Sequence, residues 1–144
     1  MTHPNPTLIP GLRSPYDQTG GIVYFARMLD KIRLHARGEL PPDWVAAMGT
    51  ASQTSFDARC CRFLGIDYDA LEKQTLAGGS DDDLLAWAFA NGRRPNAEEI
   101  EIWNAFMTKR GWRDAMSNRL NERLTQVSQT LTEIAYFEPK SGCF

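Results

Sequence analysis

Arg27, Asp30, Lys31, Arg33 and His35 crowd a single stretch that otherwise reads as an amphipathic helix. At about 100° per residue, Ile22, Phe25, Ala26, Leu29, Ile32 and Ala36 form one apolar stripe. Arg33 falls inside that stripe, between Ala26, Leu29 and Ala36. A guanidinium keeps its charge in a protein, so burying Arg33 demands a partner. Asp30, one helical turn earlier, is the nearest. One reading is an ion pair tying this helix to another element, completed by Asp57, Asp67, Asp114 or a glutamate between 98 and 101. The other is a pocket in which Arg33 and Asp30 grip an anionic or carbonyl-bearing ligand, because a planar donor fork fits carboxylate and phosphate. A snorkelling arginine is a third reading. His35 lies on the flank of the stripe, where a surface or capping role competes with acid–base work. Its claim on catalysis depends on Asp30, Cys60 or Tyr24 lying within hydrogen-bond reach.

Other groups carry weaker signals. Gly20-Gly21 could offer amides to a phosphate, but no phosphate-loop or dinucleotide fingerprint accompanies them, and turn chemistry explains them. Arg93-Arg94-Pro95 and Lys109-Arg110-Gly111-Trp112-Arg113 are basic clusters of the kind a helix end attracts. Asp81-Asp82-Asp83 lacks the spacing of a calcium loop and suits a helix start. Cys60, Cys61 and Cys143 are odd in number and form no C-x-x-C, so neither a disulfide framework nor a zinc site is expected. Arg59 and Arg62 flank the cysteine pair and could favour a thiolate; a buried, inert thiol is the plainer account.

The elements that must position these groups follow from periodicity and punctuation. Residues 1–19 hold Pro4, Pro6, Pro10 and Pro15 and read as an extended arm pinned by Leu8, Ile9, Leu12 and Tyr16. Gly20-Gly21 open a helix predicted over 20–37, with Gly38 as its stop. Pro41-Pro42-Asp43 start a short one ending at Gly49. Thr54 to Leu64 reads as a helix closed by Gly65, and Asp67 or Asp69 can cap the next. Ser80 is a good N-cap for a helix ending at Gly92, and Asn96 to Glu99 has capping-box spacing ahead of Ile100, Trp103, Phe106 and Met107. From about Asp114, Met116, Leu120, Leu124, Val127, Leu131 and Ile134 approach a heptad seam, which serves either intradomain packing or a homodimer. No segment alternates like a strand. The expected fold is all-α: a single compact domain of six to seven helices over 20–136, with the Pro-rich N-terminal arm at 1–19 and a C-terminal tail at 137–144.

Composition narrows the function classes. The 144 residues are 42% hydrophobic and 24% charged, with a formal net charge of −2, as in an ordinary globular protein. No apolar run reaches the ~18–20 residues of a membrane span. The start lacks a basic and an apolar region, so no secretory signal is expected and the protein reads as cytoplasmic. The near-neutral balance removes the footprint of a general nucleic-acid binder.

The strings Leu12-Arg13-Ser14-Pro15-Tyr16-Asp17, Ala26-Arg27-Met28-Leu29-Asp30-Lys31-Ile32-Arg33-Leu34-His35, Arg59-Cys60-Cys61-Arg62-Phe63-Leu64-Gly65, Gly78-Gly79-Ser80-Asp81, Asn91-Gly92-Arg93 and Lys109-Arg110-Gly111-Trp112-Arg113-Asp114 carry a resemblance. Over about residues 12–123 the chain resembles a small bacterial family, the domain of unknown function numbered five-zero-six-nine. The resemblance implies a one-domain protein and brings no reaction, cofactor or partner.

Two functions are therefore weighed. In the first, a small anionic metabolite is bound or transformed in a polar pocket around the first helix. His35 and Asp30 would move protons, and Arg13, Tyr16, Arg27, Arg33, Arg59 and Cys60 would contact the ligand, with no metal and no cofactor. In the second, the Trp103/Phe106/Trp112 region or the last helix makes a non-catalytic protein–protein contact, including a homodimer.

Overall fold

In the computed structural model Leu8–Thr108 form one compact unit. The structure describes residues 9–110. The predicted helix from Asp114, its seam, Trp112, the C-terminal tail and Cys143 lie outside the described residues.

The first departure from expectation comes at the double glycine. Gly20 and Gly21 take φ values of 57° and 81° and form the turn of a two-residue hairpin. Such turns need positive φ at both central positions. They join β1 (Gln18–Thr19) to β2 (Ile22–Val23), antiparallel, with Gln18 opposite Val23 and Thr19 opposite Ile22. Gly20 has a second reason to lack a side chain, since a Cβ there would lie 2.5 Å from Leu85 Cδ2. The helix predicted from residue 20 therefore starts later, as α1 (Phe25–Ala36).

The remaining helices follow their local signals. Pro42 occupies the first turn of α2 (Pro42–Ala47), where a missing N–H costs nothing. Ser55 Oγ accepts from Ala58 N at the start of α3 (Phe56–Leu64), and Gly65 ends it in the left-handed conformation. Asp67 caps α4 (Tyr68–Ala77), and Ser80 and Asp83 form a capping box on α5 (Asp81–Asn91). Asn96 and Glu99 exchange the same reciprocal bonds ahead of α6 (Ala97–Lys109). The described fold is thus mostly helical, six helices plus a small hairpin, rather than strictly all-α.

α1 is the central element. Phe25, Met28, Leu29 and Ile32 are essentially inaccessible and pack with Ile22, Leu64, Leu71 and Leu84. Its main helical neighbour is α4. A smaller cluster of Ile9, Leu34 and Leu40 pins the arm to the far end of α1. Among the described residues, no helix is long and apolar enough to cross a membrane.

Candidate functional site

Arg33 does lie against carboxylates, but its main partner is one the sequence had pointed to a different task. Arg33 Nη1 donates to Asp81 Oδ1 at 2.8 Å and lies 3.7 Å from Asp30 Oδ1. Arg13, from the arm, donates its backbone N–H and Nε to Asp30 Oδ2, each at 2.9 Å, and its Nη1 lies 2.6 Å from Asp81 Oδ2. Two guanidinium groups and two carboxylates thus neutralise one another and tie the arm, α1 and the start of α5 together. Hydrogen bonds to Asp30, then to Asp81, raise the Arg13 pKa. Burial would raise that of Asp81, but hydrogen bonds from Arg13 and Arg33 outweigh it and hold the carboxyl below its ordinary value. Arg27 donates to the Arg13 carbonyl at 2.8 Å, and its guanidinium lies over the Trp44 ring. The ion-pair reading of Arg33 describes this geometry.

The other residues singled out in the sequence scatter. His35 is exposed, and no hydrogen bond joins its imidazole to Asp30, Cys60 or Tyr24 among the described residues. Tyr16 is half-buried, which raises its hydroxyl pKa. Cys60 is wholly inside the core and Cys61 nearly so; both are free thiols. Burial pushes the Cys60 thiol well up and that of Cys61 up to about 12, overriding the opposing pull of Arg62 on Cys61. Arg59 stands over the Phe106 ring of α6.

Two arrangements escaped the sequence. The first is a buried cluster. Lys31 Nζ donates to Asp57 Oδ1 at 2.6 Å and to the Tyr24 hydroxyl at 2.7 Å. Tyr24 in turn donates to the same Asp57 oxygen at 2.6 Å, and Gly49 N donates to Asp57 Oδ2 at 2.7 Å. Lys31 is 6% exposed, Tyr24 2% and Asp57 1%. Burial lowers the Lys31 pKa against the pull of Asp57, and burial followed by the Asp57 charge pushes the Tyr24 hydroxyl well up. Tyr24 holds φ at 77°, a conformation that costs a non-glycine residue of order 1–3 kcal/mol. No local spacing signals the cluster: Tyr24 precedes α1 with a positive φ, and Asp57 comes from α3.

The second is an open groove of about 370 Å³ lined by Arg59, Arg62 and Phe63 of α3 and by Trp103 and Phe106 of α6. Phe63 stacks on Trp103 with centroids 4.9 Å apart and planes 8° from parallel. Trp103 is fixed by its indole N–H, which donates to the Val23 carbonyl at 3.1 Å. Arg59 Nε donates to the Thr54 carbonyl and Arg62 Nη2 to the Gln53 carbonyl. Among the described residues, neither arginine pairs with a carboxylate, whereas Arg37 and Arg93 pair with Glu39 and Glu99. Arg59 and Arg62 therefore keep most of their donors and their full charge beside an aromatic floor.

No group of three or more histidine, cysteine or acidic side chains among the described residues is placed to hold a metal. No curated protein and no solved structure matches the chain. A family model does match, over residues 9–136, which is most of the sequence. The chain belongs to the family described as Domain of unknown function (DUF5069).

Proposed function

We propose that this chain is a cytoplasmic protein that binds a small anionic ligand with a flat apolar body in the groove between α3 and α6. The observation that carries this reading is the pair Arg59 and Arg62, both without a carboxylate partner among the described residues and both beside the stacked rings of Phe63 and Trp103. A guanidinium offers paired donors to a phosphate or carboxylate, and the accessible parts of the aromatic side chains offer apolar contact. The groove is within the size range of small-molecule sites, roughly 300–1,000 Å³. Arg59 is the residue that carries over from the expected polar pocket. Arg13, Asp30 and Arg33 serve to hold the arm, and the site lies on α3 rather than α1. The described lining, Arg59, Arg62, Phe63, Trp103 and Phe106, suits binding an anion and a ring. Free thiols at Cys60 and Cys61 suit a reducing compartment.

Adenosine monophosphate is a suitable probe, with adenosine and inorganic phosphate as its two halves. Calorimetric titration is expected to show the monophosphate binding more tightly than either half. Loss of one guanidinium in Arg59→Ala or Arg62→Ala is expected to weaken it by about tenfold or more. Equal affinity in wild type and both variants, or no binding of the monophosphate, overturns the reading. Protein docking is the second reading, favoured by Ile102 of α6, which is 63% exposed. An oligomer that dissociates on Ile102→Asp, with no monophosphate binding, would select it.

A further inference from the structure

The segment between α2 and α3 covers a cluster that plays no part in the groove. Residues 48–55 form no helix or strand. Two hydrogen bonds hold them over Asp57, from Gly49 N to Asp57 Oδ2 and from Ser55 Oγ to the Gly49 carbonyl at 2.8 Å. Beneath lie Lys31, Tyr24 and Asp57, and beside Gly49 lies Tyr68, whose ring carbon would sit 3.2 Å from a Cβ at that glycine. The Tyr68 hydroxyl is buried and has no hydrogen-bond partner among the described residues.

We propose that Lys31 is a reactive amine that condenses with a small aldehyde or ketone admitted when the 48–55 segment lifts. The groups needed surround one nitrogen. Asp57, 2.6 Å away, can take a proton from the Lys31 ammonium. The freed amine attacks the carbonyl carbon; a C–N bond forms and the π pair moves to oxygen. That oxygen takes the Tyr24 proton, and Tyr24 recovers one from the new secondary ammonium. Asp57 then returns its proton to the carbinolamine hydroxyl, which leaves as water while the nitrogen pair closes the C=N bond. The sum is ammonium plus carbonyl giving iminium plus water, with no oxidant or reductant. Burial favours the neutral amine, as in other lysines that work as nucleophiles. The positive φ of Tyr24 is strain held where its hydroxyl meets both Lys31 and Asp57.

The test is reductive trapping on the full chain with propionaldehyde and limiting cyanoborohydride at neutral pH, with each lysine quantified by peptide mass spectrometry. Exposed Lys73 is the internal reference. Lys31 is expected to be labelled at least about tenfold faster than Lys73, a part of the roughly 10²–10⁴-fold that a placed acid or base supplies. Asp57→Asn is expected to remove that advantage and leave Lys73 unchanged. Tyr24→Phe, which keeps the ring, is expected to reduce it if the asparagine variant does not fold. Labelling of Lys31 no faster than Lys73 in the wild type overturns the proposal, and so does an advantage that survives in the folded variants. Neither result depends on Arg59 or Arg62, so the groove stands or falls separately.

Discussion

α1 carries two acid–base clusters on adjacent residues, and they are built on opposite principles. Around Asp30 and Arg33, two cations meet two carboxylates, and all but the buried Asp30 keep contact with solvent; Arg13 is 40% exposed, Arg33 27% and Asp81 21%. Around Lys31, a single carboxylate, Asp57, serves an ammonium, a phenol and a backbone amide with almost no water nearby. Charge balance with partial exposure gives a clasp that can lose a member at small cost. A lone buried carboxylate holding three donors gives a cluster in which every member depends on Asp57. Abundant pairing thus marks the structural clasp, and scarcity of partners marks the place where chemistry is worth seeking.

The largest expected effect is on the buried side. Asp57→Ala leaves the Lys31 ammonium buried and unpaired, which costs about 3–5 kcal/mol. Asp81→Ala, in the half-exposed clasp, is expected to cost about 1 kcal/mol or less. Urea denaturation of both variants checks the contrast, and equal losses would erase it. Tyr24→Phe removes one hydroxyl from the buried cluster and leaves its partners under-satisfied, at about 1–3 kcal/mol. Should it prove neutral, the phenol is not part of the cluster's bonding.

The two clusters also separate by pH. The folded pKa of Asp81 lies below its unfolded value. Its contribution is therefore present above the unfolded carboxylate pKa and is lost as pH falls through the folded one. Tyr24, Cys60 and Cys61 have raised values, Cys61 up to about 12. Their contribution is full below the unfolded pKa values near 9 to 10 and declines as pH rises from there. Lys31, lowered in the fold, works in the opposite sense and offsets part of that decline. Urea midpoints across pH are expected to fall at both ends, with Asp81→Asn flattening only the acid limb. The smallest effect is that of salt: 0.5 M sodium chloride screens the exposed clasp more than the buried cluster. The stability gap between wild type and Asp81→Ala should then narrow, while that between wild type and Asp57→Ala should not.

Local punctuation was legible. Ser80 with Asp83, Asn96 with Glu99 and Gly65 each act within one helical turn, so their roles survive any tertiary arrangement. Gly20-Gly21 was ambiguous, because a glycine pair suits a helix entry and a hairpin turn alike; strands of two residues are too short to show alternation. An ion pair was one of three sequence readings of Arg33, with Asp30 the nearest candidate partner. The sequence offered no means of choosing Asp81, whose place in a first turn already had a sufficient local explanation.

Residue order alone therefore indicates most of the helices and their capped ends, though not the start of α1, because those properties arise among neighbours within about four positions. The identity of each partner comes from packing. Lys31 and Asp57 are 26 residues apart, and the hairpin and Trp103 are joined across 80. Distances of that kind exist only once α1 is enclosed by the other helices. The same enclosure strips water from Lys31 and leaves Arg59 and Arg62 at the rim of α3, so chemically similar cations end in different surroundings.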